Sequence, residues 1–164
     1  MRRPCKVIVD ASAGPVERER KYLLASFPEH ARGAPVEEID QGWLPGERLR
    51  ERLRRVRDGA GERFYRTIKL GAGERRIELE ETTTAELFAA LWPHTAGCRV
   101  QKRRYRVRDG DLVWEIDEFI DRELWLAEVE LPDERTASVP AWLQPCVVRD
   151  VTGEGGFTNL ELAR

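Results

Sequence analysis

The stretch Glu17-Arg18-Glu19-Arg20-Lys21 sets two carboxylates and an ammonium at positions i, i+2 and i+4. In a strand those three side chains share one face. Paired carboxylates suit a hard divalent cation such as Mg²⁺, and a neighbouring lysine suits a phosphate that the cation also touches. Taken alone, the stretch reads more simply as a charged surface segment with screened ion pairs. The reading gains weight because the spacing recurs along the chain.

Period-two charge returns in Arg52-Leu53-Arg54, Thr67-Ile68-Lys69, Arg76-Ile77-Glu78-Leu79-Glu80, Lys102-Arg103-Arg104, Glu115-Ile116-Asp117 and Glu128-Val129-Glu130. Most of these segments carry one ionised and one apolar face, the pattern of strands. An antiparallel sheet with its ionised face in water is the plain alternative. Against it, the charges are sorted by sign within most of these strands, as in Arg52 and Arg54, Lys102 and Arg104, Glu115 and Asp117, and Glu128 and Glu130. The strands are also many and joined by short turns such as Asp109-Gly110, and a twisted sheet of about eight strands tends to close into a barrel. With charges inward, such a barrel needs a partner for them, because unpaired buried charge is costly. A metal-bearing polyanion would satisfy the basic and acidic zones together.

The elements that must hold these residues follow from local signals. Strands are expected over 16–24, 36–43, 63–70, 75–81, 99–107, 112–119 and 124–131, with short strands at 6–9 and 147–150. Gly42 is expected to break its strand near the end. The segment 47–57 is ambiguous. Leu49, Leu53 and Val56 have helical spacing, whereas Arg48, Arg50, Arg52 and Arg54 have strand spacing. A helix is expected over 84–92, with Thr83 and Glu86 as a capping box and Pro93 as its stop. A loop or short helix is expected at 28–33, a short helix at 138–143, and a C-terminal segment 157–162 that packs on the core.

Composition bounds the rest. The chain of 164 residues suits one domain, here 16–164 after a tail at 1–15. Charged residues make up 35% with a net charge of −2, which argues against a partner held by bulk positive charge, nucleic acid above all. Cys5, Cys98 and Cys146 are odd in number and lack metal spacing, which suits a reduced, cytoplasmic protein. No apolar run approaches the ~20 residues of a membrane helix. His30 and His94 are isolated, so histidine-based catalysis is not expected.

Glu17-x-Glu19-x-Lys21 opening a strand, followed in order by the six alternating motifs above, resembles the CYTH domain, or triphosphate tunnel metalloenzyme, family over residues 16–162. The resemblance implies a mainly β, α+β fold: an eight-stranded antiparallel barrel with a few flanking helices and its ionised faces turned inward. It settles 47–57 as a strand, although Arg50, Arg52, Arg54, Arg55 and Arg57 leave several registers open. It implies Glu17, Glu19, Glu128 and Glu130 as ligands of Mg²⁺ or Mn²⁺. It implies Lys21, Arg52, Arg54, Lys69, Arg76, Lys102 and Arg104 as the triphosphate cradle, with Lys21, Glu78 and Glu80 catalytic and Asp117 lining the tunnel. Phe157-Thr158-Asn159-Leu160 lacks the basic residue that many short bacterial members carry near an Asn, which tells against a basic plug. The activity implied is metal-dependent hydrolysis of a triphosphate-containing small molecule, inorganic tripolyphosphate first. A class IV-like adenylate cyclase and a non-catalytic polyphosphate- or nucleotide-binding module are the alternatives. A homodimer is compatible with the resemblance.

Overall fold

The computed structural model describes residues 18–46, 50–70, 77–131 and 138–164, with backbone only at 18, 69, 70, 77 and 78. Nine strands run as β1 (Arg18–Leu24), β2 (Val36–Leu44), β3 (Arg50–Asp58), β4 (Gly61–Leu70), β5 (Ile77–Thr83), β6 (Arg99–Asp109), β7 (Leu112–Phe119), β8 (Trp125–Leu131) and β9 (Val147–Asp150). They form one antiparallel sheet in the order β5-β4-β3-β2-β6-β7-β8-β1-β9. The mainly β antiparallel architecture is as expected, but the strand count is nine rather than eight. Closure is also corrected. Among the described residues β5 pairs only with β4, and β9 occupies the outer edge of β1 through Tyr22↔Asp150 and Leu23↔Arg149. The edge of β1 that a closing strand would use is thus already taken over part of its length. The sheet curls without closing.

Alternation gives the sheet two faces. Outward, Tyr22, Leu24, Val107, Trp114, Ile116, Ala127, Val129 and Leu131 make the main core. It is covered by Ala31, in the 3-10 turn Glu29–Gly33, and by Leu143. Further along the same face, helix α1 (Ala85–Leu91) and the 3-10 turn Trp92–Thr95 cover β2 to β4, with Phe88 stacked on Trp92 and tilted against Phe64. Gly42 does not break β2, which runs unbroken through it. A Cβ there would lie 2.7 Å from Thr95 Oγ1 and 3.0 Å from the Trp92 ring, so glycine is what lets this cover sit against the strand.

Inward, the ionised positions give way to apolar ones at one end. Leu23, Trp43, Val100, Phe119, Leu124 and Leu126 gather there under Phe157, Leu160, Leu162 and Ala163 of the C-terminal segment, which includes the short helix α2 (Asn159–Leu162). The expectation that 157–162 packs on the core is met, and its consequence is a floor that seals one end of the concave face.

The strand implied over 47–57 is met from residue 50 onward, as β3. Two local expectations need correction. Helix α1 is capped by Thr84, whose hydroxyl accepts from Leu87 N at 3.2 Å, because Thr83 is still paired with Phe64 in β5. Residues 138–143 form no helix. Pro140 has no amide to donate, and its carbonyl accepts from Leu143 N and Gln144 N in a turn that leads to the 3-10 turn Gln144–Cys146. Residues 6–9 lie outside the described residues. No described helix is long and apolar enough to cross a membrane.

Candidate functional site

Antiparallel pairing turns directly opposite residues to the same face. The register therefore builds the site. Glu19 faces Glu130, Lys21 faces Glu128 and Glu115 faces Glu128. Arg104 faces Asp117, Arg54 faces Gln41, and Thr67 faces both Arg52 and Glu80. Curling brings the two ends of this row together around one cavity of about 580 Å³. It is lined by Glu19, Lys21, Gln41, Arg52, Arg54, Lys102, Arg104, Arg106, Glu115, Glu128, Glu130 and Asn159, among others.

One wall is a chain of alternating charge. Lys21 Nζ donates to Glu128 Oε1 at 2.8 Å and to Glu19 Oε1 at 3.1 Å. Glu128 Oε2 accepts from Arg104 Nη2 at 2.7 Å. The Arg104 fork grips Asp117 through Nε at 2.7 Å and Nη2 at 2.6 Å, and also pairs with Glu115. Asp117 in turn accepts from Lys102 Nζ at 2.5 Å, and Lys102 reaches Asn159 Oδ1 at 3.1 Å. The opposite wall is held from β5. Glu80 accepts from Arg52 at 2.9 Å, from Arg54 at 2.8 Å and from the Thr67 hydroxyl at 2.9 Å. Arg54 also lies 5.0 Å over the Tyr65 ring.

Burial and pairing compete at each group. Burial alone would discharge Lys21, but Glu128 and Glu19 outweigh it and hold its pKa above the ordinary lysine value. Burial, reinforced by Arg104, pushes Lys102 down despite Asp117 and Glu128. Burial would protonate Asp117, yet Arg104 and Lys102 hold it at about 2. A depressed carboxylate pKa adds stability that is present above its ordinary 3.8 and is lost as the pH falls towards 2. The contribution is about 2 kcal/mol. Thermal melts from pH 6 to pH 2.5 should therefore show a steep acid-side fall, and Asp117→Asn should start lower and fall less. Parallel curves would remove Asp117 as a source of that slope.

Of the residues singled out in the sequence, Lys21, Arg52, Arg54, Lys102, Arg104, Glu19, Glu128 and Glu130 all line the cavity. Asp117 lies fully buried behind it. Glu80 stands at the side, engaged with the two arginines. Lys69 and Glu78 oppose each other across β4 and β5, and nothing further is described for their side chains. Glu17 and Arg76 lie outside the described residues. The open question over 50–57 is resolved: Arg52 and Arg54 face the cavity, whereas Arg55 and Arg57 turn outward to Asp40 and Glu38. Sequence reasoning missed Gln41 and the acceptor role of Asn159. Neither is charged, so neither showed in a pattern of sorted charges. The phase of Gln41, two residues from buried Ile39 on one side and buried Trp43 on the other, was the available signal.

The carboxylates offer only oxygen donors, the chemistry of a hard divalent cation, and Glu19 and Glu130 are directly opposed. Among the described residues no three carboxylate or other metal-binding groups gather ready-made for a metal ion; Glu19 and Glu128 are spread onto Lys21 instead.

No protein-family profile matches the chain. A curated inorganic triphosphatase of Nitrosomonas europaea is 35% identical over 156 residues, covering 90% of this chain and 96% of that protein. A second, from Acetivibrio thermocellus, is 35% identical over 155 residues, covering 90% and 93%. The crystal structure of the inorganic triphosphatase NE1496 matches with a TM-score of 0.68 at 30% identity, over 92% of this chain and 95% of that one.

Proposed function

We propose a function from one premise: the chain belongs to the triphosphate tunnel metalloenzyme family, beside its inorganic triphosphatases, and is a triphosphate hydrolase. The finer reading is metal-dependent removal of the terminal phosphoryl group from inorganic tripolyphosphate. Water adds to the terminal phosphorus, the bridging P–O bond breaks, and diphosphate and phosphate leave. The observation that carries this reading is that one cavity brings Lys21, Arg52, Arg54, Lys102 and Arg104 together with Glu19, Glu128 and Glu130.

The cations hold phosphoryl oxygens, and Lys69 and Arg76 extend the cradle. Lys21, Arg52, Arg54, Lys102 and Arg104 are fixed beforehand by ion pairs, so little reorganisation accompanies the loose transition state as charge spreads over its peripheral oxygens. Glu80, which the resemblance implies as catalytic with Glu78, is engaged by Arg52, Arg54 and Thr67, and this supports a role in positioning the arginines. Glu78 is then the carboxylate left to orient the attacking water. Glu17, Glu19, Glu128 and Glu130 would hold Mg²⁺ or Mn²⁺, which when bound supplies charge neutralisation at the phosphoryl oxygens. The thiols of Cys98 and Cys146 are free, in keeping with a reduced, cytoplasmic setting.

The test is phosphate release from tripolyphosphate, ATP and thiamine triphosphate, with Mg²⁺ and with EDTA, for wild type and Glu19→Ala. Fastest release is expected from tripolyphosphate, with loss in EDTA and a fall of about 10²-fold in the variant. Equal rates in EDTA would sink the metal, and no release from any substrate would sink hydrolysis. Cyclic AMP among the products from ATP would replace water by the nucleotide's own hydroxyl as nucleophile.

A further inference from the structure

We propose that Gln41 is a substrate-binding residue, whose side-chain amide donates a hydrogen bond to a phosphoryl oxygen at the closed end of the cavity. The assignment rests on the triphosphate reading above and extends it to a residue outside the charged motifs.

Gln41 is 2% exposed and lines the cavity. Its Nε2 is buried and has no hydrogen-bond partner among the described residues. A buried donor left unsatisfied is costly, and native structures retain few of them. The register sets Gln41 opposite Arg54 on β3 and Val100 on β6, beside Ile39, which faces Lys102. The amide therefore sits between Arg54 and Lys102, level with Val100 and next on its strand face to Trp43, at the edge of the apolar floor. Phosphoryl oxygens only accept hydrogen bonds, so the amide donor, rather than its carbonyl, meets them. Lys102, Arg52 and Arg54 are each tied to a carboxylate. The amide is a donor in this layer that no carboxylate holds.

Gln41→Met keeps the shape and removes the donor. It should lower kcat/KM for tripolyphosphate with Mg²⁺ by about 10- to 100-fold, the loss typical of a hydrogen bond to a charged acceptor. The Tm without substrate should stay level or rise, because a buried unmade donor has gone. The rise in Tm that tripolyphosphate with Mg²⁺ produces in wild type should shrink. Gln41→Glu, which sets a carboxylate against the phosphates, should lose more. A Met variant with wild-type kcat/KM and an unchanged ligand-induced rise overturns the assignment. So does one whose ligand-free Tm falls along with its rate, since the amide would then be structural. Wild type that gains Tm from tripolyphosphate yet releases no phosphate overturns hydrolysis alone, and the ligand-induced rise then decides Gln41. Wild type that shows neither overturns both.

Discussion

Arg104→Met is expected to abolish measurable tripolyphosphate hydrolysis and to lower Tm by about 10 °C. Arg104 is the junction of the wall of alternating charge: its fork holds Asp117 in two bonds and also meets Glu128 and Glu115. Asp117 is fully buried. Without the fork it keeps only Lys102, whose own charge burial already disfavours. Breaking a buried ion pair costs about 3–5 kcal/mol, and in a chain of this size each kcal/mol is worth about 2–4 °C. The rate should fall by about 10³-fold or more, because one donor to the substrate is lost and Lys102 and Glu128 lose their alignment. Arg104→Lys separates the two effects. It restores charge but not the planar fork, so Tm should recover most of its loss while the rate stays about 10²-fold down. Thermal melts and phosphate release read both. A near-wild-type rate in Arg104→Met would make the residue a structural pair with no part in holding substrate.

The same residues show why the sequence was informative here and where it stopped. A residue facing the cavity recurs at every second position, so Glu19 and Lys21, Arg52 and Arg54, Lys102 and Arg104, and Glu128 and Glu130 could all be placed on inward faces from spacing. Strand type at β3 could not be read locally, because Leu49, Leu53 and Val56 carry a helical rhythm through a segment rich in arginine. What decides it is pairing on both sides, Arg52↔Trp43 and Arg52↔Thr67, which is a property of neighbours distant in sequence. The role of Glu80 was hidden for the same reason. Its spacing marks it as inward-facing, but only the register with Thr67 shows that it anchors the two arginines.

Charge balance in the cavity explains why these ion pairs suit the chemistry. Among the described lining residues the cations are Lys21, Arg52, Arg54, Lys102, Arg104 and Arg106, and the anions are Glu19, Asp111, Glu115, Glu128 and Glu130. The lining is close to neutral, and its cations are already paired: Lys21 with Glu19 and Glu128, Arg104 with Glu115, Glu128 and Asp117, Lys102 with Asp117, and Arg52 and Arg54 with Glu80 behind the lining. A polyanion entering alone would have to displace those carboxylates. A polyanion that arrived with a divalent cation would offer the carboxylates a new partner and leave the lysines and arginines for phosphoryl oxygens. Tripolyphosphate should accordingly raise Tm far more with Mg²⁺ than with EDTA.

Deleting residues 157–164 is expected to remove activity and to lower Tm by roughly 10–20 °C. The segment seats Phe157, Leu160, Leu162 and Ala163 against Trp43, Val100, Phe119 and Leu126. Burying the equivalent of two or three such side chains is worth on the order of 5 kcal/mol. Two bonds to its carbonyls lock it in place: Arg99 N donates to Ala163 O at 3.1 Å, and the Arg122 side chain donates through Nη1 to Leu162 O at 2.7 Å. The segment also touches both lysines of the wall of alternating charge. Lys21 Nζ donates to Phe157 O at 3.4 Å, and Lys102 Nζ donates to Asn159 Oδ1 at 3.1 Å. Its loss would open the closed end to water, weaken every ion pair there and leave the lysines less constrained. Asn159→Leu isolates the second part, since it keeps the apolar seal and removes only the acceptor. That variant should melt within a few degrees of wild type and lose about 10-fold in rate. If the deletion melts like wild type, the apolar floor is not part of the fold's stability. If it melts low while Asn159→Leu turns over normally, the segment seals the cavity without orienting Lys102.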